Sequence, residues 1–558
     1  MKHTSRLRTL CLASLLAVSL QAVMAASGGD AGPEQAALDR GPWAVVPRAA
    51  VPAAAEQPAS MAIREEEGRW LISEKALQEY GLYKADAKKG TYWLRLPPAK
   101  DGSVLWKDMQ AALRLPARQS DGETSLNIRR IYRTMGLSLT WEEGKRELMR
   151  PVSPTRLAPT LRPLGDSHRA AEANTKTDNK KEKKKDKKSR KKQERKMGLV
   201  LFWDPLMQGD ENLPSLDTAQ PVMSPCAFRL TAQGVALRHD DFAMLADAYA
   251  AKGYAMWPLI DNNFDPALTH AVLSDDKLQD TMIKELIGYA LLYDFKGYNI
   301  DFENINYADK DRLTAFVGRL SRACRAYGLK LSMDVTPISN SMNWSRVYDR
   351  AALAPHLDYL MIMAYDQFGR TSSVAGPVAS YPWVEKAVQN VTAIVPAEKV
   401  VLGMPLYMRL WYETTEEKDL PLDINEWPPV AGTEGAAEKD VGAEALTPSK
   451  QNEAKGKTAF KEAKSKKPVL LVRTLPMSAS GLLLEKYKDY VTWNDELGLY
   501  YMDLPLTTGR VQVWFEDEKS LTEKAKLITK YNLGGASFWR KGFEAPHFWQ
   551  SFVPQELT

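Results

Sequence analysis

From Leu199 to Trp539 short apolar runs recur, separated by stretches whose apolar residues fall at helical spacing. The runs read as strands are Leu199 to Trp203, Pro221 to Arg229, Ala255 to Ile260, Gly297 to Glu303, Lys330 to Val335, Tyr359 to Ala364, Val400 to Pro405 and Gly535 to Trp539. Strands alternating with helices are the pattern of βα repeats around a parallel sheet. Eight of them predict an α/β chain closed into a (β/α)8 barrel, with functional groups at the C-terminal strand ends. The connection between the seventh and eighth strands is unusually long, and Gly432 to Lys467 within it is polar and rich in Lys, Glu and Ala. An insertion over about residues 412–510 is expected there, a small α+β unit in which Leu499 to Leu504 and Arg510 to Phe515 have strand character.

The N-terminal part is organised differently. Gly68 to Ile72 and Thr91 to Leu96 have strand character, Ile128 to Met135 reads as a short helix ended by Gly136, and Leu137 to Trp141 alternates as a strand. Residues 61–150 therefore form a predicted small α+β domain ahead of the barrel domain, 197–558. Residues 26–60 are Ala- and Pro-rich without apolar periodicity and read as a flexible lead. The first 25 residues place Lys2, Arg6 and Arg8 before an apolar run, Leu10 to Val23, closed by Val23-Met24-Ala25. That is the pattern of a secretory signal peptide cut after Ala25, and the run is too short for a convincing membrane span. Secretion, or placement in the cell envelope or periplasm, follows as an expectation.

Charge changes this picture in one place. The formal charge of +5 hides a block, Lys176 to Lys196, with 13 Lys or Arg against 4 Asp or Glu, so the rest of the chain carries about −4. Residues 151–196, first Pro-rich and then Lys-rich, read as a solvated linker. The linker is either a plain tether or a patch that adheres to anionic envelope polymer. Nucleic acid is not an expected partner, because no aromatic residues interleave with the charges. Outside the leader only Cys226 and Cys324 remain, and both read as buried thiols rather than a disulfide framework.

The fourth predicted strand, Gly297-Tyr298-Asn299-Ile300-Asp301-Phe302-Glu303-Asn304, carries the candidate chemistry. Side chains alternate faces on a strand, so Asn299, Asp301 and Glu303 share one face and Tyr298, Ile300 and Phe302 the other. Two carboxyl groups held together at the mouth of a barrel repel one another and resist desolvation. One pKa then rises, and a proton is kept near neutrality, as a general acid requires.

These residues resemble glycoside hydrolase family 18, whose fourth strand reads Asp-x-x-Asp-x-Asp-x-Glu. Lys296 and Asn299 stand where that pattern has its first two Asp, while Asp301 and Glu303 match the third Asp and the acid. Met363-Ala364-Tyr365-Asp366, Gly403-Met404-Pro405-Leu406-Tyr407 and Gly534-Gly535-Ala536-Ser537-Phe538-Trp539 match its sixth, seventh and eighth strands in order. "YNIDFENIN" is most similar to the branch of spore-cortex and cell-wall N-acetylglucosaminidases.

The resemblance implies a TIM barrel that hydrolyses β-linked N-acetylglucosamine polymers, peptidoglycan or chitin-like, without a cofactor or metal. It implies catalytic roles for Glu303 as acid, Asp301 at the substrate acetamido group and Tyr365 as its hydrogen-bond donor. Asn299, Asp366, Trp539, Tyr407 and Arg409 are implied substrate contacts, with Trp411 a weaker one. Asn299 in place of the second Asp removes from that strand the partner with which Asp301 would share a proton. Residues 60–150, through "LNIRRIYRTMGLSLTWEEGKRELM", resemble the copper amine oxidase N-terminal-like domain; no His or Cys cluster accompanies them, so no copper is implied. The competing readings are a carbohydrate- or wall-binding protein on the same fold, without turnover, and an envelope-attached structural component.

Overall fold

The computed structural model describes residues 64–66, 69–75, 83–86, 90–115, 117–120, 123–127, 131, 138–142, 145–149, 198–207, 220–238, 242–416, 418–431, 467–546 and 548–552. The expected leader, lead segment and Lys-rich linker lie outside the described residues, as do most of the expected helix Ile128 to Met135 and nearly all of the polar stretch Gly432 to Lys467.

Eight parallel segments form a curled sheet. They are β1 (Leu199–Asp204), β2 (Gln220–Pro225), β3 (two pieces, Ala255–Met256 and Leu259–Asp261), β4 (Gly297–Asp301), β5 (Lys330–Val335), β6 (Tyr359–Met363), β7 (Val400–Pro405) and β8 (Gly535–Trp539). Neighbours pair in chain order, and β8 pairs with both β7 and β1. Pro258, which has no N–H to offer a ladder, sits at the break in β3. The first piece of β3 pairs with β2 and the second with β4.

Periodicity sorts the side chains as the sequence predicts. Leu199, Leu201, Trp203, Val222, Trp257, Leu259, Met361 and Val401 form one buried cluster on the concave face. Val200, Phe202, Tyr298, Ile300, Phe302, Met333 and Leu402 belong to a second cluster on the outer face with the helices. The helix Asp276–Tyr293 begins at the N-cap Asp275, whose carboxylate accepts from Lys277 N and Leu278 N. Lys310–Tyr327 ends on Gly328 at φ +72°, a left-handed cap that glycine adopts without strain.

The predicted second strand, Pro221 to Arg229, is two strands. β2 stops at Pro225, and Phe228–Thr231 then pairs antiparallel with Gly234–Leu237 as a hairpin. After β7 the chain enters a five-stranded antiparallel sheet in spatial order Val469–Pro476, Tyr407–Thr414, Gly509–Trp514, Leu499–Leu506, Val491–Asn494. It starts at Tyr407 and runs to Trp514, and so reaches a few residues further at each end than the composition shift indicates.

The described residues of the N-terminal part are nine strands in three small antiparallel sheets. Their core, including Tyr92, Leu94 and Leu113, is continuous with the outer cluster of the parallel sheet. Arg114 N donates to Tyr289 Oη at 3.0 Å, and Tyr327 Oη donates to Pro97 O at 2.7 Å. Among the described residues the cysteines Cys226 and Cys324 are free and buried. No described helix is long and apolar enough to cross a membrane.

Candidate active site

The C-terminal ends of β3 to β6 and β8 bring the acidic and aromatic residues together. β4 ends at Asp301, so Glu303 lies two residues beyond the strand, where the sequence reading had extended it. A buried amide holds it there. Asn262 Nδ2 donates to Glu303 O at 2.7 Å, and Asn262 Oδ1 accepts from Glu303 N at 3.0 Å. Tyr348 Oη donates to Phe302 O at 2.8 Å, and Phe302 stacks on Phe316 beneath. The Glu303 backbone is thus fixed on both sides while its side chain stays half-buried.

The carboxyl groups perturb one another. Burial pushes Asp301 from 3.8 up to about 7, the charge of Asp261 adding to the rise and Arg238 opposing it. Burial, then the charges of Asp301 and Asp366, raises Glu303 well above the ordinary range. A glutamic acid that keeps its proton at neutral pH can donate it, and the ionised form of a neighbouring aspartate can stabilise positive charge. Asp301 Oδ1 is buried with no hydrogen-bond partner among the described residues.

Tyr365 and Asp366 follow the end of β6. Burial and the nearby Asp334 raise the Tyr365 phenol, so it remains a donor. Its ring packs edge-on to Trp203 at 6.4 Å and to Tyr407 at 6.2 Å. Trp539, at the end of β8, is half-buried with its ring 6.1 Å from Trp203. Asp366 has a half-exposed side chain, and its Oδ1 accepts from Tyr407 Oη and from Arg409 Nη2, the latter at 2.5 Å.

Four of the residues read as substrate contacts, Asn299, Tyr407, Arg409 and Trp411, are buried. Asn299 is wholly buried: its Nδ2 donates to Asp334 Oδ1 at 2.9 Å and to Ser332 Oγ at 3.1 Å, and its Oδ1 accepts from Trp203 Nε1 at 2.9 Å. With its polar atoms so engaged it supports the site from below. Tyr407 and Arg409 are also buried and act on Asp366, Arg409 being held further by Phe368 O and Thr474 Oγ1. Trp411 is fully buried and donates to Gly376 O at 2.8 Å, a core position.

Sequence reasoning missed Asp334, Asn262, Trp203, Asp261 and Arg238. Asp334 had a readable signal, since it is the one charged residue in the strand run Leu331 to Val335. The others come from loops and strands whose proximity no local pattern reveals.

Comparisons with known proteins give the family and the fold. The sequence model of glycosyl hydrolases family 18 matches residues 263–543, half of the chain. An uncharacterized glycosylase, YvbX of Bacillus subtilis, is 25% identical over 304 residues, covering 53% of this chain and 73% of the relative. A cortical fragment-lytic enzyme of Bacillus subtilis is 22% identical over 289 residues, covering 51% of this chain and 56% of its own length. Among solved structures, the C-terminal domain of a Desulfitobacterium hafniense DCB-2 protein described as a chitinase superposes with a TM-score of 0.51 at 22% identity. That likeness covers 65% of this chain and all of the other, and it concerns the fold.

Proposed function

The chain belongs to glycosyl hydrolases family 18, and on that premise we propose that it is an exported enzyme cleaving β-linked N-acetylglucosamine polymers by substrate-assisted, retaining hydrolysis. The curled sheet is then a closed (β/α)8 barrel, consistent with the pairing of β8 to both β7 and β1 and of the two pieces of β3 to β2 and β4.

One observation carries the mechanism. Asp301 closes β4 and Glu303 follows two residues on, with the two carboxyl groups close enough for the charge of Asp301 to act on Glu303. Ordinary retaining enzymes set an acid and a nucleophile about 5 Å apart across the scissile bond. Two carboxyl groups on one short segment cannot divide those roles, so the substrate's own acetamido oxygen attacks the anomeric carbon. Glu303 gives its proton to the departing glycosidic oxygen. Ionised Asp301 orients the acetamido group and stabilises the positive oxazolinium nitrogen, and Tyr365 donates to the same group. Asp366, pinned through one oxygen by Tyr407 and Arg409, offers the other to the sugar, with Trp539 as its floor. Water then attacks and returns a proton to Glu303.

The similarity to a cortical fragment-lytic enzyme supports a wall polymer as the substrate class, and a chitin-like glycan is the alternative. Incubating the protein with peptidoglycan and, separately, with chitin oligosaccharides tests the reading, with new reducing ends identified by mass spectrometry. New N-acetylglucosamine reducing ends in either arm support it. Binding without any new ends would favour a non-hydrolytic carbohydrate-binding protein.

A further inference from the structure

Three aspartates form a row across the concave face. Parallel pairing sets Asp261 of β3 opposite Asp301 of β4. The β4 to β5 ladder runs Asn299 to Ser332 and Ile300 to Met333, so the next pair in register is Asp301 and Asp334. Neighbouring strands lie about 4.8 Å apart, and residues in register point to the same face. Three like charges at that spacing cannot all persist in a buried site.

The surroundings of each aspartate differ. Asp261 has cations: Arg238 pairs with its Oδ2, and Arg229 lies 3.7 Å from its Oδ1. Asp301, in the middle, has a buried oxygen without a partner. Asp334 is 1% exposed, and its hydrogen bonds come from neutral donors, the Asn299 amide and the Trp203 indole. The titratable groups that face it are Asp301 and Glu303 from the end of β4, Tyr365 after β6 and Tyr348 after β5, with the Trp203 indole from β1. None of these is a cation.

We infer that Asp334 is the proton-holding partner of Asp301, a neutral carboxylic acid whose O–H supplies the donor that Asp301 Oδ1 lacks, so that Asp301 bears the negative charge beside the reacting sugar. The Asn299 amide fixes Asp334 Oδ1 as an acceptor, and the proton of the proposed pair sits on the other carboxyl oxygen. Burial and the charge of Asp301 raise the Asp334 carboxyl well above its ordinary range, in keeping with this role. The proton count on Asp334 does not change through turnover. Glu303 loses its proton to the leaving oxygen and regains one from water, while Asp301 remains ionised and faces the oxazolinium charge. Asp334 acts through Asp301 and is a positioning residue. The proton partner missing at Asn299 is thereby supplied from the adjacent strand.

Infrared difference spectra and pH–rate profiles on the full chain test this. Spectra of Glu303→Gln and of Glu303→Gln with Asp334→Asn, compared at about pH 8, should differ by one carboxylic-acid carbonyl band present only while Asp334 remains. Absence of that band overturns the inference. In the kinetic arm, Asp334→Asn keeps a neutral donor and should leave the acid limb of kcat within about 0.3 pH of wild type. Asp334→Ala removes the donor and should move that limb upward by about one pH unit or more. A downward shift in Asp334→Asn, the sign of a lost negative neighbour, contradicts the assignment, as does an unmoved limb in a folded Asp334→Ala. Only the kinetic arm depends on the proposed hydrolysis. The infrared arm reads protonation without turnover, so a wrong substrate would silence the first and leave the second.

Discussion

In the proposed mechanism turnover depends most directly on Glu303, whose backbone is held independently of its side-chain charge. Glu303→Gln should therefore fold as wild type and bind oligosaccharide, but lose hydrolysis by about 10²-fold or more, because the near-isosteric amide has no proton to give. A binding isotherm beside a reducing-end assay checks both halves. The same carboxyls impose a pH dependence on stability. A group whose folded pKa is raised favours the folded state below its unfolded pKa, and that contribution is lost as pH rises through the folded value. For Asp301 the window runs from 3.8 to about 7, and Glu303 and Asp334 shift in the same direction. The melting temperature should fall across that window on alkalinisation, and less so in Asp334→Asn, as calorimetry over a pH series would read. Asp301, Glu303, Tyr365, Asp366 and Trp539 could be singled out in the sequence because each stands in a local motif. Asp334 offered only a charge within a strand run and Asn262 no signal at all, because what each touches lies across strands.

At the scale of elements, the end of β3 positions the end of β4. Asn262 is 1% exposed and spends both its polar groups on the Glu303 backbone and Thr269 Oγ1. Asn262→Ala should cost about 1–3 kcal/mol by leaving the Glu303 amide and carbonyl unpaired. It should also lower kcat more than it raises KM, since the acid loses its register while the sugar's contacts remain; denaturant unfolding and steady-state kinetics measure the two. All eight parallel strands were legible from apolar runs and their spacing. Their irregularities were less so. The break at Pro258, the hairpin after Pro225 and the early stop of β4 are set by pairing with neighbours, which a linear pattern does not contain.

At the scale of the whole molecule, the N-terminal sheets dock on the helix Asp276–Tyr293. A Cβ on Gly288 would come within 2.8 Å of Leu113 Cδ1, so the absence of a side chain at that turn admits Leu113. Contacts of this kind join residues about 175 positions apart, and no sequence period announces them. The Lys-rich block has the opposite character: its composition is plain in the sequence. Deleting Lys176 to Lys196 should weaken binding to anionic wall material at low salt while leaving cleavage of small soluble oligosaccharides unchanged. A pull-down across a salt series reads this, and unaltered binding at every salt would reduce the block to a spacer.

Stereochemistry tests the central claim most directly. Attack by the substrate's acetamido group inverts the anomeric centre once and water inverts it again. Proton NMR during the first minutes of hydrolysis should therefore show the β anomer of the new reducing end before mutarotation, and a substrate de-N-acetylated at the reacting sugar should remain uncut. An initial α anomer, or efficient cleavage of the de-N-acetylated substrate, would contradict the account.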